Sequence, residues 1–286
     1  MKAVRAIRLW ATRRIPAPWR WTLRTWLLVG QRAYHALRPV PLHADPVLVF
    51  GQAKAGTTAI AALLARHAGL EASLDPLYRY DPFGRRRRAA REQGRSIAGQ
   101  IRAHSFLFAA PVLKDPGFLA IYDDLRTVFP SARQIMIVRD PRDNLRSLLN
   151  GRGIRGDLER SPDLPWIHAH GRLARWSDGG DYIGMMAEDW NTAVDGYLAR
   201  PDVFILIRYE DFVADKVGAI ARLAAELGLP AAQDIDAWTD VQYQPRGDRD
   251  ISWQEFFGPE NLARIERICG DRMARFGYHR TGPDET

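Results

Sequence analysis

The chain has 286 residues, 46% hydrophobic and 26% charged, and these near-average fractions exclude a disordered, collagen-like or coiled-coil protein. Its single cysteine, Cys269, excludes a disulfide framework and a zinc–thiolate cluster, and no apolar run approaches the roughly 20 residues of a membrane-spanning helix. Lys and Arg number 41 against 34 Asp and Glu, so the formal net charge of +7 favours anionic partners.

Residues 1–44 form a basic extension that we separate from a domain over residues 45–286. Residues 1–40 contain four tryptophans and no acidic residue, and their apolar stretch is too short for a signal peptide. One interpretation is a pair of amphipathic helices packed on the main domain. A second is a segment lying on an anionic membrane surface, and a transit peptide is a third. We expect a cytoplasmic protein, which on the second interpretation contacts the inner membrane surface.

From residue 45 onward, short apolar runs alternate with helical patterns. Strands are predicted over 46–50, 111–114, 134–138 and 203–207. Helices are predicted over 57–67, 120–129, 141–150, 185–200, 215–227 and 259–276. This alternation predicts an α/β fold with a parallel sheet flanked by helices. Two polar segments interrupt the pattern: an excursion over 71–105 and an insertion over 151–180.

A glycine-bearing turn joins the first predicted strand to the first predicted helix. Unpaired backbone N–H groups and the positive end of the helix dipole make such a turn an anion site. Gly51 and Gly56 have the spacing of a P-loop, but Thr57 stands where that motif has lysine. The lysine lies inside the turn, at Lys54. No predicted strand ends in a plain Asp for Mg²⁺, so an ATP- or GTP-hydrolysing site is disfavoured.

A second anion site is predicted where the strand over 134–138 ends. Arg139 follows this strand, at the edge where parallel sheets bind ligands. Asp140 suits a helix N-cap and Pro141 suits the first helical position. Ser147 lies two turns into the same helix. A guanidinium and a hydroxyl together suit a phosphate monoester.

These two motifs resemble those of the sulfotransferases that use 3′-phosphoadenylyl sulfate (PAPS). The loop from Lys54 to Thr58 resembles their 5′-phosphosulfate loop, and residues 138–147 resemble their 3′-phosphate motif. Residues 207–212, with the helix after them, resemble a third family block. The resemblance runs from about Val47 to Tyr278 and is nearer to the bacterial, glycan and tyrosylprotein branches than to the cytosolic small-molecule branch. It implies a single P-loop-like sulfotransferase domain.

The resemblance also implies a reaction. A sulfuryl group moves from PAPS to a hydroxyl or amine, and adenosine 3′,5′-bisphosphate (PAP) is released, with no metal required. The residues implied to bind the donor are Lys54, Ala55, Gly56, Thr57, Thr58, Arg139, Ser147, Tyr209 and Arg246. The acceptor is left open as a carbohydrate, a glycolipid or another metabolite, and the four-arginine run over 85–88 favours an anionic one. We expect no nucleic-acid partner, and the sequence leaves the oligomeric state open.

Three residues are predicted to be catalytic. Lys54 would neutralise charge on the departing phosphate, and Lys114, at a strand end, would reach the bridging oxygen or the acceptor. The residue two positions after Lys114 is proline, where cytosolic members have the histidine base, so a carboxylate is expected to serve. Asp75 stands at about the position that the glycan and tyrosylprotein branches use. The alternatives for the base are Glu71, His104 and Asp115.

Two other functions compete with this one. A P-loop nucleotide kinase is disfavoured by Thr57 and by Arg139 at the strand end. A non-catalytic protein that binds PAP, or that docks to a membrane through residues 1–40, is disfavoured by the presence of Lys54, Lys114 and several candidate bases.

Overall fold

The computed structural model describes residues 29–31, 33–35, 37–81, 84–160, 181–242 and 251–281. Residues 1–28, most of the predicted insertion (161–180) and Arg246 lie outside the described residues. The interpretations given for them above therefore stay predictions.

Five parallel strands form one sheet in the order β2-β3-β1-β4-β5. The strands are β1 (Val47–Gly51), β2 (Ala72–Leu74), β3 (Val112–Lys114), β4 (Arg133–Val138) and β5 (Phe204–Arg208). The central strand β1 is wholly buried, as expected for a parallel strand covered on both faces. The predicted fold class, a parallel sheet flanked by helices, is confirmed.

Helices cover both faces of this sheet. They are α1 (Thr57–His67), α2 (Pro76–Tyr80), α3 (Arg85–Glu92), α4 (Ala98–Ala103), α5 (Ser105–Phe108), α6 (Tyr122–Val128), α7 (Pro141–Asn150), α8 (Tyr182–Leu198), α9 (Tyr209–Ala214), α10 (Lys216–Glu226) and α11 (Trp253–Arg275). Short 3₁₀ turns occur at Phe118–Ile121, Pro201–Val203 and Asp236–Trp238. None of the described helices is both long enough and apolar enough to cross a membrane.

The two faces of the sheet bury separate hydrophobic cores. Leu48 and Phe50 of β1 pack in one core with Trp190 of α8 and residues of α11. Val47 and Val49 of the same strand pack in the other core with residues of α1 and α10. Successive side chains of a strand point to opposite faces, so one short strand anchors both helical layers.

The structure differs from the sequence prediction most within residues 71–105. The segment begins with β2, which pairs in parallel with β3 at the sheet edge, and continues as the four helices α2–α5. The strand was missed because Ala-Ser-Leu is short, partly exposed and carries no apolar run. By contrast, the predicted bounds of α1 and α7 match the structure, since a glycine or an N-cap aspartate precedes each of them.

The C-terminal helix also differs from its prediction. It begins at Trp253, six residues before the predicted start, and is kinked where Gly258 adopts φ 67° immediately before Pro259. Proline lacks the N–H that a continuous helix needs, and glycine reaches positive φ without a steric cost. The predicted helix corresponds to the part after this kink.

The described end of the N-terminal extension contacts the domain. Residues 29–31, 33–35 and 37 are helical. The ring of His35 stacks on Phe106 of α5, with the ring centroids 4.8 Å apart and the planes 17° from parallel.

Candidate active site at the carboxyl edge of the sheet

The strand order places the predicted site residues in one row. Because β1 lies between β3 and β4, the loop after β1 runs between the ends of those two strands. Asp75, Lys114, Lys54 and Arg139 therefore follow one another along the carboxyl edge, in the order of strands β2, β3, β1 and β4. Tyr209 follows β5 at the far end of this row. Open parallel sheets bind ligands at this edge.

The loop after β1 is held by its carbonyl groups. Arg139 donates from Nη1 to the carbonyl oxygen of Lys54 at 2.9 Å, and Asn144 donates from Nδ2 to that of Ala53 at 3.1 Å. Lys54 itself adopts φ 71°, in the left-handed region that non-glycine residues rarely occupy. The N-cap of α1 is Gly56, whose lack of a side chain means that no side-chain cap covers the first N–H groups of the helix. This is the geometry of an anion-binding helix N-terminus.

Gly56 is required by the approach of Tyr209. Gly56 has φ 88°, and a Cβ placed on it would lie 2.3 Å from the Tyr209 ring. On its other side, the Tyr209 ring lies under the guanidinium of Arg139, 4.5 Å from Cζ to the ring centroid. The tyrosine thus joins the loop after β1 to the end of β4. A larger residue at position 56 would displace it.

Arg139 is 8% exposed and its backbone is fixed from both sides. The indole of Trp190 donates to the Arg139 carbonyl oxygen at 2.9 Å. The next backbone N–H, of Asp140, donates to Glu210 Oε1 at 3.0 Å. Asp143 Oδ2 lies 3.9 Å from Arg139 Nη2 and orients the guanidinium. A buried arginine whose backbone and guanidinium are both held in place is suited to bind an anion. A solvated surface arginine would need neither feature.

Beneath Arg139, a buried charge network holds the start of α7. Asp140 caps the helix by accepting from the Arg142 backbone N–H, as predicted, and also pairs with the Arg142 guanidinium at 2.6 Å. Arg142 donates to Glu266 of α11 at 2.7 Å. These hydrogen bonds outweigh the effect of burial and raise the pKa of Arg142. The network links the predicted 3′-phosphate motif to the C-terminal helix.

One face of α7 lies along the candidate site. Asp143, Ser147 and Gly151 are spaced four residues apart, so they share a face of the helix. Asp143 at one end contacts Arg139. At the other end, a Cβ placed on Gly151 would lie 3.5 Å from Lys54 Nζ. Ser147, between them, therefore lies on the face that the two cations border.

Lys54 lies among positive charges. Burial lowers its pKa, and the guanidinium groups of Arg152 and Arg139 lower it further. Arg152 follows α7 and folds back on it, donating from Nη1 to the Leu148 carbonyl oxygen at 2.7 Å. Three cations thus converge around one glycine-bearing loop, an arrangement suited to a ligand with several negative charges.

The predicted base is paired with the predicted strand-end lysine. Lys114 Nζ lies 2.8 Å from Asp75 Oδ1, and the Lys114 side chain is 2% exposed against 36% for Asp75. The pair results from the register Leu74↔Lys114 between β2 and β3, with Asp75 N–H donating to the Lys114 carbonyl. Lys114 directs its ammonium to Asp75 here, whereas its predicted contact with the bridging oxygen or the acceptor stays a prediction.

Asp115 is engaged in holding the backbone. Asp75 occupies the N-cap position of α2, yet its side chain makes no cap hydrogen bond. Asp115 supplies it instead, accepting from the backbone N–H groups of Leu77 at 2.9 Å and Tyr78 at 3.2 Å. Its other oxygen accepts from Gly117 N–H at 2.8 Å. Burial raises the pKa of the Asp115 carboxyl, and the Asp75 carboxylate raises it further. Asp115 thereby leaves the Asp75 carboxylate available to Lys114.

The two remaining candidate bases are placed differently. Glu71 precedes β2, at the amino end of the strand, whereas Asp75 follows its carboxyl end. His104 is 5% exposed, its Nδ1 lies 2.9 Å from the Gln100 carbonyl oxygen, and its ring packs edge-on against Tyr80. Of the four carboxylate and histidine candidates, Asp75 alone joins partial exposure to a place at the carboxyl edge.

The four-arginine run over 85–88 forms the start of α3, and its members differ in role. Arg87 turns inward and donates to Asp81, and Arg86 lies over the Tyr80 ring at 5.3 Å. Arg85, Arg86 and Arg88 are exposed. The run is thus partly structural, and the three exposed members retain the positive charge that the sequence analysis emphasised.

Arg246 is outside the described residues, but the chain that follows it is anchored beside Arg139. The carbonyl of Ile251 accepts from Arg146 of α7. The indole of Trp253 donates to Asp143 Oδ1 at 2.9 Å and its ring lies 3.9 Å from the Arg142 guanidinium. Asp143 is the residue that contacts Arg139, so Ile251 and Trp253 lie at this end of the row.

Comparison with known proteins agrees with this arrangement. A family described as the sulfotransferase family matches residues 46–234, which include β1 to β5 and all the charged residues of the row. The chain belongs to the sulfotransferase family. The predicted family is therefore confirmed, and the match favours it over the nucleotide-kinase interpretation.

The individual relatives of this chain are distant. Carbohydrate sulfotransferase 5 from Homo sapiens is 21% identical over 221 residues, covering 69% of this chain and 49% of that protein. Its counterpart from Mus musculus is 22% identical over 227 residues, covering 71% and 53%. The chain thus spans about half the length of the curated relatives it matches. The crystal structure of sulfotransferase STF9 from Mycobacterium avium has a TM-score of 0.55 at 16% identity, covering 87% and 82% of the two chains, and shows the shared fold.

Several residues that build this edge escaped the sequence analysis. Arg152 fell in the segment predicted to be an insertion, and Asn144 was treated only as part of a helix. Glu210 and Trp190 act on the backbone of residues 139 and 140 from other elements, which no local pattern reveals. The four-residue spacing Asp143–Ser147–Gly151 was a signal in the sequence that could have pointed to Arg152, one residue beyond it.

Proposed function

We propose that this sulfotransferase transfers a sulfuryl group from PAPS to a hydroxyl group of a carbohydrate. The observation that carries the proposal is the row along the carboxyl edge. It places a cationic loop centred on Lys54 between a buried arginine, Arg139, and a partly exposed carboxylate, Asp75. An anionic donor needs the cationic groups, and an acceptor hydroxyl that must lose a proton needs the carboxylate.

In this proposal, the loop after β1 and the start of α7 bind different parts of the donor. The N–H groups of Lys54, Gly56, Thr57 and Thr58 would hold the 5′-phosphosulfate at the N-terminus of α1, while that of Ala55 donates to the Gln52 carbonyl oxygen at 3.1 Å and holds the turn. Arg139 and Ser147 would hold the 3′-phosphate together with Arg246, as the family resemblance implies. Tyr209, fixed between Gly56 and Arg139, would lie beside the adenine. The cradle fits such a ligand because the loop carbonyls are already bound by Arg139 and Asn144, which leaves the amide face toward the anion.

The chemistry requires a proton acceptor and a stabilised leaving group. When bound, PAPS supplies the sulfuryl group: its sulfur bonds to the acceptor oxygen while the bond to the bridging oxygen breaks and leaves its electron pair on the 5′-phosphate. Lys54 faces that growing negative charge. A preorganised donor of this kind contributes about 3–4 kcal/mol to transition-state stabilisation in comparable oxyanion sites.

Asp75 would take the proton of the acceptor hydroxyl. Its carboxylate is positioned by Lys114, held in turn by the β2–β3 register, and is relieved of helix capping by Asp115. Lys54 and Asp75 are the only non-glycine residues with positive φ in the part of the chain that the structure describes. Left-handed backbone at a non-glycine residue costs of order 1–3 kcal/mol and is concentrated at functional sites. Lys54 and Asp75 are also the residues proposed to stabilise the leaving group and to accept the proton.

The acceptor would approach from the β2 side of the row. Helices α2–α5 follow Asp75 in the chain, and α3 exposes Arg85, Arg86 and Arg88. Exposed arginines would attract an acceptor that already carries negative charge. The carbohydrate class is supported by the two relatives named as carbohydrate sulfotransferases.

The test is ligand-dependent stability followed by transfer. PAP should raise the thermal unfolding midpoint of the full chain, and ADP at the same concentration should raise it much less, because ADP lacks the 3′-phosphate. A ligand at 100 times its Kd stabilises by about 2.7 kcal/mol, which is readily measured. Arg139→Ala should remove the preference for PAP. Transfer of ³⁵S from labelled PAPS to a panel of neutral and acidic glycans then tests the acceptor. Equal stabilisation by PAP and ADP would contradict the proposal.

A further inference from the structure

We propose that Arg152 is a further donor-binding residue, whose guanidinium pairs with the 5′-phosphosulfate beside Lys54. The inference rests on the proposed function and extends it to a residue outside the motifs that define the donor site. Arg152 lies beyond the C-terminal end of α7, at the end of the helix face formed by Asp143, Ser147 and Gly151.

The position of Arg152 follows from two contacts. Gly151, immediately before it, approaches Lys54 so closely that an added Cβ would lie 3.5 Å from the lysine Nζ. Arg152 then folds back along α7 and donates to the Leu148 carbonyl oxygen at 2.7 Å. The guanidinium and the Lys54 ammonium therefore border the same space.

The electrostatics of the free protein support this placement. Burial has the largest lowering effect on the pKa of Lys54. The positive charges of Arg152 and Arg139 lower this pKa further. Burial also lowers the pKa of Arg152. An anion with several negative charges, such as a phosphosulfate, would offset the repulsion among these like charges.

A purely structural role for Arg152 explains less. An arginine at a helix C-terminus can bind the last carbonyl groups and interact favourably with the helix dipole. The bond to the Leu148 carbonyl is a contact of this kind. A role at the helix end does not explain why Lys54 approaches the same turn. Binding of one anionic donor by both cations does explain it.

Arg152 and Arg139 are expected to bind different phosphates of the donor, the 5′-phosphate and the 3′-phosphate respectively. Arg139 lies against Tyr209, on the β5 side of the loop, and Arg152 lies on the side of the lysine ammonium. Removal of Arg152 should therefore weaken ligands that carry a 5′-phosphate. Removal of Arg139 should weaken ligands that carry a 3′-phosphate.

Isothermal titration of the full chain with PAP, adenosine 5′-phosphate and adenosine 3′-phosphate tests this division. Arg152→Ala should weaken PAP and adenosine 5′-phosphate by between about ten- and a hundredfold, the range for a lost charge-assisted hydrogen bond. Its affinity for adenosine 3′-phosphate should stay unchanged. Arg152→Lys should recover most of the loss. Arg222→Ala, an exposed arginine of α10 paired with Asp215, is the matched control and should bind all three ligands normally.

Each alternative result has a distinct meaning. Unchanged PAP affinity in Arg152→Ala, with wild-type protein that binds PAP, overturns the role of Arg152 and leaves the proposed function intact. An equal loss for all three nucleotides, or a lowered thermal unfolding midpoint of the unliganded variant, assigns Arg152 to the structure and also overturns it. Wild-type protein that binds no PAP overturns the proposed function itself.

Discussion

Lys114 and Asp75 form an ion pair, with 2.8 Å between Nζ and Oδ1, in which the lysine side chain is almost wholly buried and the carboxylate is partly exposed. The lysine comes from the end of β3 and the aspartate from the residue after β2. An ammonium this deeply buried is stable only because it is paired. The pair therefore presents one carboxylate at the site and keeps the lysine that binds it out of solvent.

Asp75→Asn should abolish transfer without weakening PAP. The amide keeps the shape of the side chain and an oxygen for Lys114, and asparagine tolerates positive φ, but it cannot accept the acceptor's proton. We expect kcat to fall by about a hundred- to ten-thousandfold, the usual contribution of a general base. Steady-state kinetics and PAP titration measure the two effects. Glu71→Gln, at the opposite end of β2, is the control and should turn over normally, and the reverse pattern would make Glu71 the base.

Lys114→Met should lower kcat while PAP affinity stays constant. Methionine fills the buried volume but leaves Asp75 without the hydrogen bond that orients it, and a misplaced base costs roughly a hundredfold in rate. Lys216→Met, a lysine of α10 paired with Asp240, serves as the matched control. A large loss of PAP affinity in Lys114→Met would instead indicate that Lys114 contacts the donor, as the sequence analysis expected.

PAP binding should take up a proton at alkaline pH through Lys54. The pKa of Lys54 is lowered in the free protein, and a bound anion favours the charged form and raises that pKa again. Affinity should consequently fall as the pH rises through the free-state pKa of Lys54. Calorimetry at several alkaline pH values, each in two buffers of different ionisation enthalpy, counts the protons. Lys54→Arg stays charged in this range, so the proton uptake should disappear, and its persistence would point to another group.

Glu266→Ala should destabilise the fold strongly. Glu266 accepts from the Arg142 guanidinium at 2.7 Å and from the Thr281 backbone N–H at 3.0 Å, and is 7% exposed. Removing one partner of a buried charge network costs about 3–5 kcal/mol in the free energy of unfolding. Urea denaturation measures it. Glu260→Ala, on the exposed side of the same helix, should change the free energy of unfolding by less than about 0.5 kcal/mol.

The sequence was most informative where structure is local. The bounds of α1 and α7, the turn containing Lys54 and the place of Arg139 at a strand end all follow from patterns within about ten neighbouring residues. Apolar runs mark buried strands, and glycine, aspartate and proline mark the starts of helices. The order of these motifs also supported the family assignment, which the family match confirms.

Only the tertiary structure decided which groups meet at the row. Strand β2 has no pattern of its own and exists because β3 offers it a partner, yet its register with β3 creates the pair between Asp75 and Lys114. Asp115 replaces Asp75 as the cap of α2, although each of the two aspartates directly precedes a proline in the sequence. Arg152 joins Lys54 only because α7 lies across the loop after β1. Such contacts join residues that are from 38 to about 100 positions apart, and their geometry is set by sheet register and helix packing rather than by neighbouring residues.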